Sequence, residues 1–345
     1  MEKNMNEDNL RTEIDALRQA NKALAQLLNY TIEQIMEIQQ DCADLKISNA
    51  ACSLRIENLP YEIFDPRYRH KYDIPKIMTV EETIDEIVLN KKSIARFGDG
   101  EFSVMFGRSR WRFQKDDSKL AARLKEVITS EEENILIGLN DFYGDLSHEK
   151  KSDVDWIRAY ITPEVRAEHM KLLDLNRVYA HACISRNVTM ERVKNQKRIW
   201  DNKECIFIEG DKTRMGVGND LFDNVKSIQR ILCPAESAFD NYSTILNEAL
   251  KLPLDKTILI ALGPTASVLA YDLAKAGYHA IDIGHADLTY EWLLRTGCSE
   301  KAAVSHKYNN EYEFEVGGGY IVEDIHDEKY ESEIIADLSE KSIFY

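Results

Sequence analysis

Two carboxylates, Asp99 and Glu101, stand one residue apart after the apolar stretch Ser93–Phe97, with Gly98 and Gly100 beside them. Glycines leave the backbone free to turn both side chains toward one divalent cation. Mg²⁺ and Mn²⁺ prefer such hard oxygen ligands, and substrate phosphates complete their coordination. The pattern therefore indicates metal-assisted phosphate chemistry. The alternative is an acidic turn that caps the following helix, because Asp-x-Glu also recurs by chance in an acidic protein.

A second polar segment, 209–220, lies between an apolar run and a predicted helix, and it contains Gly216 and Gly218. These glycines would let the backbone approach a ligand closely, and N–H groups at the start of a helix bind anions. Lys212 and Arg214 add positive charge. Neither the dinucleotide fingerprint nor the Walker A pattern occurs, so the segment predicts a phosphate-binding loop of no standard class. A plain connection from strand to helix is the alternative.

Two further segments with glycine follow later apolar runs. Gly263 ends one run, Pro264 suits the first turn of a helix, and Thr265 could bind a ribose or a phosphate. Turn chemistry alone would also explain that segment. His285 follows the other run and is a candidate phosphate ligand or proton-transfer group. Asp287, just behind it, is equally well explained as a helix N-cap.

All four segments follow stretches that predict strands. The candidate strands are Ser93–Phe97, Ile135–Leu139, 178–182, 204–208, 229–233, 257–262 and 279–283. The candidate helices include 79–89, which starts with a capping-box pattern, 219–227, 242–250, 265–276 and 287–295. Nearly unbroken apolar strands are buried on both faces, and their alternation with helices predicts an α/β fold with a Rossmann-like, doubly wound, mostly parallel sheet. Ligands bind such sheets at the carboxyl ends of the strands, where the four segments lie.

Residues 1–57 form a separate region without Gly or Pro, in which apolar residues recur every 3.5 positions from Leu10 to Ile56. This period predicts an N-terminal α-helical coiled coil through which the chain forms a homo-oligomer, with a dimer favoured. Asn21 lies in the apolar seam, where such a residue fixes register. A long amphipathic helix packed back on the globular domain is the alternative. Leu59-Pro60 and Asp65-Pro66 are expected to break this helix. The predicted domains are 1–57 (coiled coil), 58–78 (connector), 79–325 (catalytic domain) and 326–345 (acidic tail).

The composition excludes several classes of protein. The net charge of −16, from 60 acidic and 44 basic residues, argues against a nucleic-acid partner. The six cysteines form no CxxC pair, so a disulfide framework or a zinc site is not expected and a reducing compartment is. No signal peptide and no apolar stretch long enough for an integral membrane segment are present, which predicts a cytoplasmic protein.

Four segments in the same order resemble bacterial glycosyltransferases of the GT-D fold, a family that includes enzymes of adhesin glycosylation and of surface polysaccharide assembly. They are 96–101, 216–223, 262–265 and 282–285. The resemblance covers about residues 75–325 and leaves out the coiled coil. It implies the transfer of a hexose, typically glucose, from a UDP-sugar such as UDP-glucose to a glycan or glycoprotein acceptor, with Mn²⁺ or Mg²⁺ as cofactor.

The resemblance also assigns roles to single residues. Asp99 and Glu101 would hold the metal and the donor diphosphate. The residues expected to line the donor are Arg96, Gly98, Gly210, Arg214, Gly216, Gly218, Asn219, Gly263, Pro264, Thr265 and His285. Asp211 and Glu291 are candidates for the catalytic base, and His285 is a further candidate for a catalytic role in the pocket.

Two other functions fit the same residues. A metal-dependent nucleotidyl or phosphoryl transferase would use the same carboxylates and glycines but would not need a sugar. A coiled-coil scaffold could bind a nucleotide-sugar without turnover, although a pure binding module need not keep a metal site. Turnover of a nucleotide-sugar separates the three.

Overall fold

The computed structural model describes residues 2–62, 73–108, 114–147, 149, 151–186, 189–298, 301–309 and 322–339 of the chain. The helices are α1 (Glu2–Glu62), α2 (Val80–Leu89), α3 (Asp99–Met105), α4 (Ser118–Ile128), α5 (Lys151–Tyr160), α6 (Pro163–His169), α7 (Met190–Lys197), α8 (Tyr242–Ala249), α9 (Pro264–Lys275), α10 (Ala286–Thr296) and α11 (Glu328–Glu333). The strands are β1 (Lys76–Ile77), β2 (Ser93–Phe97), β3 (Ile135–Leu139), β4 (Val178–His181), β5 (Glu204–Gly210), β6 (Ser227–Cys233), β7 (Thr257–Ala261), β8 (His279–Asp282) and β9 (Ile334–Asp337). The chain divides into two compact units, one with α1 and α5 and one with the sheet.

The described strands form one sheet in the order β1-β4-β3-β2-β8-β7-β5-β6-β9. Every neighbouring pair is parallel. The predicted α/β class with a mostly parallel, doubly wound sheet is confirmed, and each predicted strand is present within a few residues of its expected bounds. The carboxyl ends of all strands therefore lie along one edge of the sheet.

The centre of the sheet is apolar on both faces, which explains why its strands were visible in the sequence. Ile206, Phe207 and Ile208 of β5 are fully buried, and so are Leu259 and Ile260 of β7. Strands covered by helices on both faces exclude water from both sets of alternating side chains. The hydrophobic stabilisation of the fold is concentrated in these strands.

Helix α2 begins at the capping box that the sequence predicted. The Thr79 hydroxyl accepts a hydrogen bond of 3.1 Å from Glu82 N–H, and Glu82 Oε2 accepts one of 2.8 Å from Thr79 N–H. Both side chains thus satisfy N–H groups that the first helical turn leaves free.

The helix predicted over 219–227 is wrong. Residues 211–224 form successive turns, and β6 already begins at Ser227. The Asn219 side-chain oxygen accepts a hydrogen bond of 3.1 Å from Leu221 N–H, which holds a local turn where a helix would need its own backbone bonds. The segment therefore offers no helix N-terminus to an anion.

The end of the described chain adds an edge strand. The predicted acidic tail contains α11 and β9, and β9 pairs with β6. The Arg230 guanidinium, on β6, lies between Glu209 Oε1 at 2.6 Å and Glu333 Oε2 at 2.7 Å, so a buried ion-pair network joins β5, β6 and α11. No finding tests the predicted domain boundaries, and residues 63–72 of the predicted connector lie outside the described part.

The other unit is dominated by α1, a helix of 61 residues. Its apolar side chains are largely exposed, from Ile14 at 42% to Ile56 at 71%. The expected break at Pro60 is wrong, because the helix continues to Glu62. Arg158 of α5 donates hydrogen bonds of 2.8 and 2.7 Å to the Glu62 carboxylate, which holds the last turn in place.

Within the described residues, no helix combines the length and the apolar character that a membrane span requires.

Candidate active site

The strand order creates a crevice beyond the ends of β2 and β8. The chain leaves β2 toward β3 on one side, and it leaves β8 toward β9 on the other. Such a reversal opens a gap outside the carboxyl ends of two neighbouring strands, where open α/β sheets bind ligands. The predicted metal residues follow β2, and His285 follows β8. These candidates therefore lie at neighbouring strand ends.

A second reversal lies between β7 and β5, since the chain leaves β7 toward β8 and β5 toward β6. Gly263 follows the first of these strands, and Gly210 ends the second. All four segments singled out in the sequence thus border one of the two crevices. The strands themselves fix this arrangement, because all of them point in one direction.

The acidic pair begins a helix, in keeping with the helix-capping alternative that the sequence left open. Asp99 and Glu101 occupy the first turn of α3, and Gly98 is its N-cap. Glu101 Oε2 accepts a hydrogen bond of 2.8 Å from Gly98 N–H, while Asp99 is exposed. Burial raises the pKa of Glu101 to about 7, opposed by the Gly98 hydrogen bond and assisted by the negative charge of Asp282. Capping of the helix is thus one role of Glu101, and metal binding stays a prediction.

The chemistry of this corner suits a hard cation. The Glu101 carboxylate lies within electrostatic range of Asp282 and Asp99, and Asp282 forms an ion pair of 2.9 Å with Arg96. Side chains two positions apart on a helix do not face each other, so Asp99 and Glu101 do not form a chelating pair in this geometry. Across the described residues, His, Cys, Asp and Glu side chains form no group of three that could hold a metal. An ion here would take its remaining ligands from donor phosphates and water.

Arg96 ties several strand ends together. Its guanidinium donates hydrogen bonds of 2.9 Å to Asp282 Oδ1, 2.6 Å to the Ser185 hydroxyl and 3.1 Å to the Ala182 carbonyl. Gly284, at φ +49°, passes beside it, and a Cβ atom there would lie 2.0 Å from Arg96 Nη2. The structure therefore places this predicted donor residue in a clamp between β2, β8 and the turn after β4.

The glycine-rich segment is bound by α10. Asp287 Oδ1 accepts hydrogen bonds of 2.9 Å from Gly216 N–H and 2.8 Å from Asn219 Nδ2. The same Asn219 nitrogen lies 2.7 Å from Glu291 Oε1, and buried Lys307 pairs with both carboxylates. Asp287 is not the N-cap of α10, a position that His285 holds. Gly216 and Asn219 are thus both bonded to Asp287, and Asn219 is also bonded to Glu291, within one polar cluster.

The segment 301–309 covers this loop from the other side. Arg214, with a left-handed φ of +50°, donates hydrogen bonds of 2.9 Å to the His306 carbonyl and 2.6 Å to the Glu323 carbonyl. A Cβ atom on Gly218 would lie 3.2 Å from His306 Nε2. Tyr308 N–H donates to the Lys212 carbonyl at 2.8 Å. The basic residue predicted to contact the donor therefore anchors the covering segment.

Asp211 and its neighbour Gly210 lie at the end of β5. A Cβ atom on Gly210 would meet Ala235 Cα at 3.0 Å, so the glycine allows a close approach of two backbones. Asp211 N–H donates to the Cys233 carbonyl at 2.9 Å. Burial raises the pKa of Asp211, against the charge of Lys212, which lowers it.

The remaining candidates lie at the starts of α9 and α10. Gly263 is the N-cap of α9 with φ +53°, and Pro264 occupies the first helical turn as predicted. Thr265 is fully buried, and its hydroxyl oxygen has no hydrogen-bond partner among the described residues. His285 is half-buried, and its carbonyl accepts a hydrogen bond of 2.9 Å from Thr289 N–H.

A family model described as "Glycosyltransferase GT-D fold" matches residues 94–312. The chain belongs to this family. "Probable glycosyl transferase Gly" of Streptococcus gordonii is 33% identical over 274 residues, which is 77% of this chain and 39% of the relative. "Glycosyltransferase GlyD" of Streptococcus pneumoniae is 33% identical over 76% of this chain and 33% of its own length. The chain thus spans well under half of these two relatives.

A solved structure described as a new glycosyltransferase from Streptococcus sanguinis shares the GT-D fold with this chain. It is 32% identical with a TM-score of 0.70 and covers 76% of this chain and 99% of its own. The predicted family, fold and enzyme class, a glycosyltransferase, are therefore confirmed. The GT-D match contains every predicted site residue, from Arg96 to Glu291, and leaves out α1.

Sequence reasoning missed three polar residues of the GT-D domain. Asn140 follows β3 and would lie 3.3 Å, through Nδ2, from a Cβ atom on Gly98. Ser185 holds Arg96, and Lys307 pairs with Asp287 and Glu291. Only Asn140 carried a usable signal, because it stands directly after a predicted strand. Ser185 and Lys307 reach the site through contacts between distant parts of the chain.

Proposed function

We propose that this GT-D protein transfers a hexose, glucose, from a UDP-sugar to a glycan or glycoprotein acceptor during surface polysaccharide or glycoprotein glycan synthesis. The observation that carries the proposal is the position of Asp99 and Glu101. In a chain of this family, they begin a helix at the carboxyl end of β2, beside the crevice with β8. The cytoplasmic location predicted from the sequence is part of the proposal.

The exposed carboxylate of Asp99 would hold Mn²⁺ or Mg²⁺ together with the donor diphosphate, and Glu101 would support it through its second oxygen. When bound, the cation would neutralise the charge that develops on the UDP leaving group. Arg96 stays with Asp282 and keeps the ends of β2 and β8 at a fixed separation. The clamp thus orients the acidic turn.

The starts of α9 and α10 support binding of the diphosphate. Both helices begin at the carboxyl edge of the sheet, after β7 and β8, so the positive ends of their dipoles lie there and attract anions. Pro264 has no N–H group, and the N–H groups of Ala266 and Ala286 already donate to backbone carbonyls, so the support comes from the dipoles. Gly263 lets the chain turn into α9 with its left-handed φ.

Among the candidate bases, the contacts favour Asp211 over Glu291. Glu291 is buried and accepts hydrogen bonds on both oxygens, from Asn219 at 2.7 Å and from Arg295 at 3.1 Å. Both oxygens are therefore engaged within the protein and do not face an acceptor hydroxyl. Burial raises the pKa of half-buried Asp211 and makes it the better proton acceptor. His285, at the start of α10, stays a candidate for proton transfer.

The first experiment measures UDP release from UDP-glucose with Mn²⁺ for the wild type, Asp99→Asn and Glu101→Gln. Each substitution removes one negative charge, and a glutamine at 101 can still accept from Gly98 N–H. We expect release to fall on the order of 100-fold in each variant, because each loses charge at the cation site. EDTA should abolish release in the wild type.

Glu82→Gln is the matched control. Glu82 caps α2 through a 2.8 Å hydrogen bond of the same kind as the 2.8 Å bond between Glu101 and Gly98. It lies outside the crevice, so Glu82→Gln should keep wild-type release. If UDP release falls equally in Glu82→Gln and Glu101→Gln, the role of Glu101 is limited to capping its helix.

Other outcomes favour the alternatives. Turnover of UTP without any sugar would indicate a nucleotidyl or phosphoryl transferase. Binding of UDP-glucose without release, even with acceptor glycans present, would indicate a scaffold. No release and no thermal stabilisation by any UDP-sugar with metal would exclude the glycosyltransferase proposal. Self-association through α1, as a dimer, is a separate part of the proposal.

A further inference from the structure

The surface of α1 carries a stripe that no described part of the chain hides. Assigning the 3.5-residue period to heptads puts Ile14, Ile35 and Ile56 at position a, and Leu17, Leu24 and Leu45 at position d. We call this stripe the seam. Its isoleucines and leucines are 42% to 71% exposed. Apolar side chains in water favour burial against a partner of the same period.

The prevailing residue types in the seam favour two strands. Three of the four aliphatic a residues in 14–56 are isoleucine and three of the four aliphatic d residues are leucine, with Leu28 at a and Ile38 at d as the exceptions. Isoleucine at a with leucine at d favours a dimer over a trimer or tetramer. Asn21 and Asn49 also occupy a positions. In a dimer that pairs equivalent residues, each asparagine meets its own copy and the two amides can hydrogen-bond.

The flanking positions g and e select the orientation. In a parallel, in-register pair, each g residue faces the e residue five positions later on the second copy. Glu13 then faces Arg18, and Asp41 faces Lys46, so both charged pairs attract. The 27/32 pair joins leucine with isoleucine, and the pairs 20/25, 34/39 and 48/53 each join identical residue types. Every flanking pair between positions 13 and 53 is thus compatible with a parallel, in-register coil.

The fully overlapped antiparallel pair fits poorly. There, position a faces d of the other copy, so Asn21 would be buried against Leu45 and Asn49 against Leu17. A buried amide without a partner is costly. Position e would face e and g would face g, so the repulsive pair of Arg18 with Lys46 would cancel the attractive pair of Glu13 with Arg55, whereas the parallel coil has two attractive pairs. Both the amides and the charges therefore favour the parallel arrangement.

From these complementary positions we infer that residues 13–56 of α1 pair with the same residues of a second copy as a parallel, in-register, two-stranded coiled coil. The arrangement rests on the dimer proposed above and adds the direction and register of its two helices. It makes the seam an interface between copies of this chain, and the two helices end side by side.

The chain carries its own probes for this arrangement. Cys42 and Cys52 are exposed, free cysteines at an a and a d position. In the parallel coil, each faces its own counterpart. In the antiparallel coil, Cys42 would face Leu24 and Cys52 would face Ile14, so no two cysteines would meet.

The test measures the molar mass of the full-length protein and then its cross-linking through cysteines. Light scattering should give the mass of a dimer at micromolar concentration. Copper–phenanthroline and oxygen should then cross-link both Cys42→Ser, through Cys52, and Cys52→Ser, through Cys42. Each disulfide forms from two thiols with loss of two protons and two electrons to the oxidant. The double variant should not cross-link, which controls for the other cysteines.

Two matched substitutions locate the interface. Ile35 lies in the seam and is 50% exposed, whereas Ile47 lies outside it and is 70% exposed. Ile35→Asp should weaken the dimer at least about 100-fold, because a carboxylate would enter an apolar layer. Ile47→Asp should leave the dimer unchanged. Near-UV circular dichroism should match the wild type in both variants, showing that the rest of the chain stays folded.

The outcomes separate the two proposals. A wild-type monomer would overturn both the self-association and the arrangement, and would favour a helix that folds back on its own chain. A dimer in which neither single-cysteine variant cross-links would overturn only the parallel register. A trimer or tetramer would contradict the two-stranded arrangement. Equal weakening of the dimer by Ile35→Asp and Ile47→Asp would show that the seam is not the interface. None of these outcomes affects the assay of UDP release.

Discussion

Gly284 is the point at which the backbone comes closest to a charged side chain of the site. The Arg96 guanidinium cannot move aside freely, because it is held by Asp282, by the Ser185 hydroxyl and by the Ala182 carbonyl. A methyl group at Gly284 would displace it and break charge-assisted hydrogen bonds inside a largely buried cluster. Because Gly284 has no side chain, Arg96 can keep its bonds and hold the ends of β2 and β8 at their spacing.

Gly284→Ala should destabilise the protein more than Gly297→Ala. Both glycines have left-handed φ, +49° and +62°, so alanine costs about 1–2 kcal/mol at either position. Only Gly284 has a neighbour in the way, since nothing lies within 4 Å of a Cβ atom on Gly297. We expect an additional loss of about 2 kcal/mol from the broken hydrogen bonds. Urea denaturation measures the free energy of unfolding of both variants. Equal losses of stability in the two would contradict the role of Gly284 in the Arg96 clamp.

Part of the candidate site was readable from single residues. Glycines and acidic residues directly after apolar runs marked the right strand ends. The sequence did not show that Gly216 and Asn219 both bond Asp287, or that Asn219 also bonds Glu291. Gly216 and Asp287 lie 71 residues apart, and Asn219 and Glu291 lie 72 apart. Only the folded chain reveals such pairs.

Helix α3, which carries the acidic pair, rests on a buried histidine. The His169 ring of α6 stacks on Phe102 with a centroid distance of 3.7 Å, and its Nδ1 lies 2.8 Å from the Tyr143 hydroxyl. Burial, and to a smaller extent the charges of Arg108 and Arg166, lower the pKa of His169 to about 4. The packing of α3 therefore depends on a neutral imidazole.

This histidine should make stability depend on pH. Its pKa is about 4 in the folded state and about 6.5 in the unfolded state, so the unfolded chain binds the extra proton between these values. The stability it contributes is present above pH 6.5 and is lost as the pH falls toward 4. From pH 6.5 to 5.5, the wild type should lose about 1 kcal/mol more than His169→Phe, in urea titrations.

His326→Phe is the control for this prediction, because His326 is exposed and contacts Glu331 at the surface. That variant should follow the wild-type dependence on pH. The difference between variants is the informative quantity, since buried carboxyl groups with raised pKa values act in the opposite direction. Identical slopes for His169→Phe and the wild type would show that His169 is not held neutral.

The strands were predictable because each is an apolar run long enough to be buried on both faces, as in β5 and β7. Two features of the fold could not be predicted in this way. The spacing of Leu221, Phe222 and Val225 resembles a helix, but the chain there makes turns and Asn219 bonds Leu221 N–H. Strand β9 is only Ile334–Asp337, and its pairing with β6 could not be inferred from so short a run in an acidic stretch.

The two compact units lead to different expectations for unfolding. One consists of a long helix with an exposed seam and α5, while the other has a buried core. An isolated helix gains little stability from its own backbone, so α1 depends on a partner. A unit stabilised by association responds to protein concentration, whereas a single-chain core does not.

Far-UV circular dichroism should therefore show a helical melting transition that moves with protein concentration. Tenfold dilution should lower its midpoint by roughly 5–10 °C, given the unfolding entropy of two helices of this length. The transition of the sheet-containing unit should stay where it is, and Ile35→Asp should abolish the shift. A midpoint that stays the same over a hundredfold range of protein concentration would contradict the stabilisation of α1 by a second copy.

The strand order also fixes the sequence of events during synthesis. Strand β2 lies between β3 and β8, and Ser93 at its start bonds Ala280, 187 residues later. At about 5–20 residues per second, a ribosome needs roughly 10–40 s to make that stretch. Until then one side of β2 has no strand to pair with, while α1 has long been complete. Neighbouring nascent chains on one messenger can therefore join through α1 before either domain has finished folding.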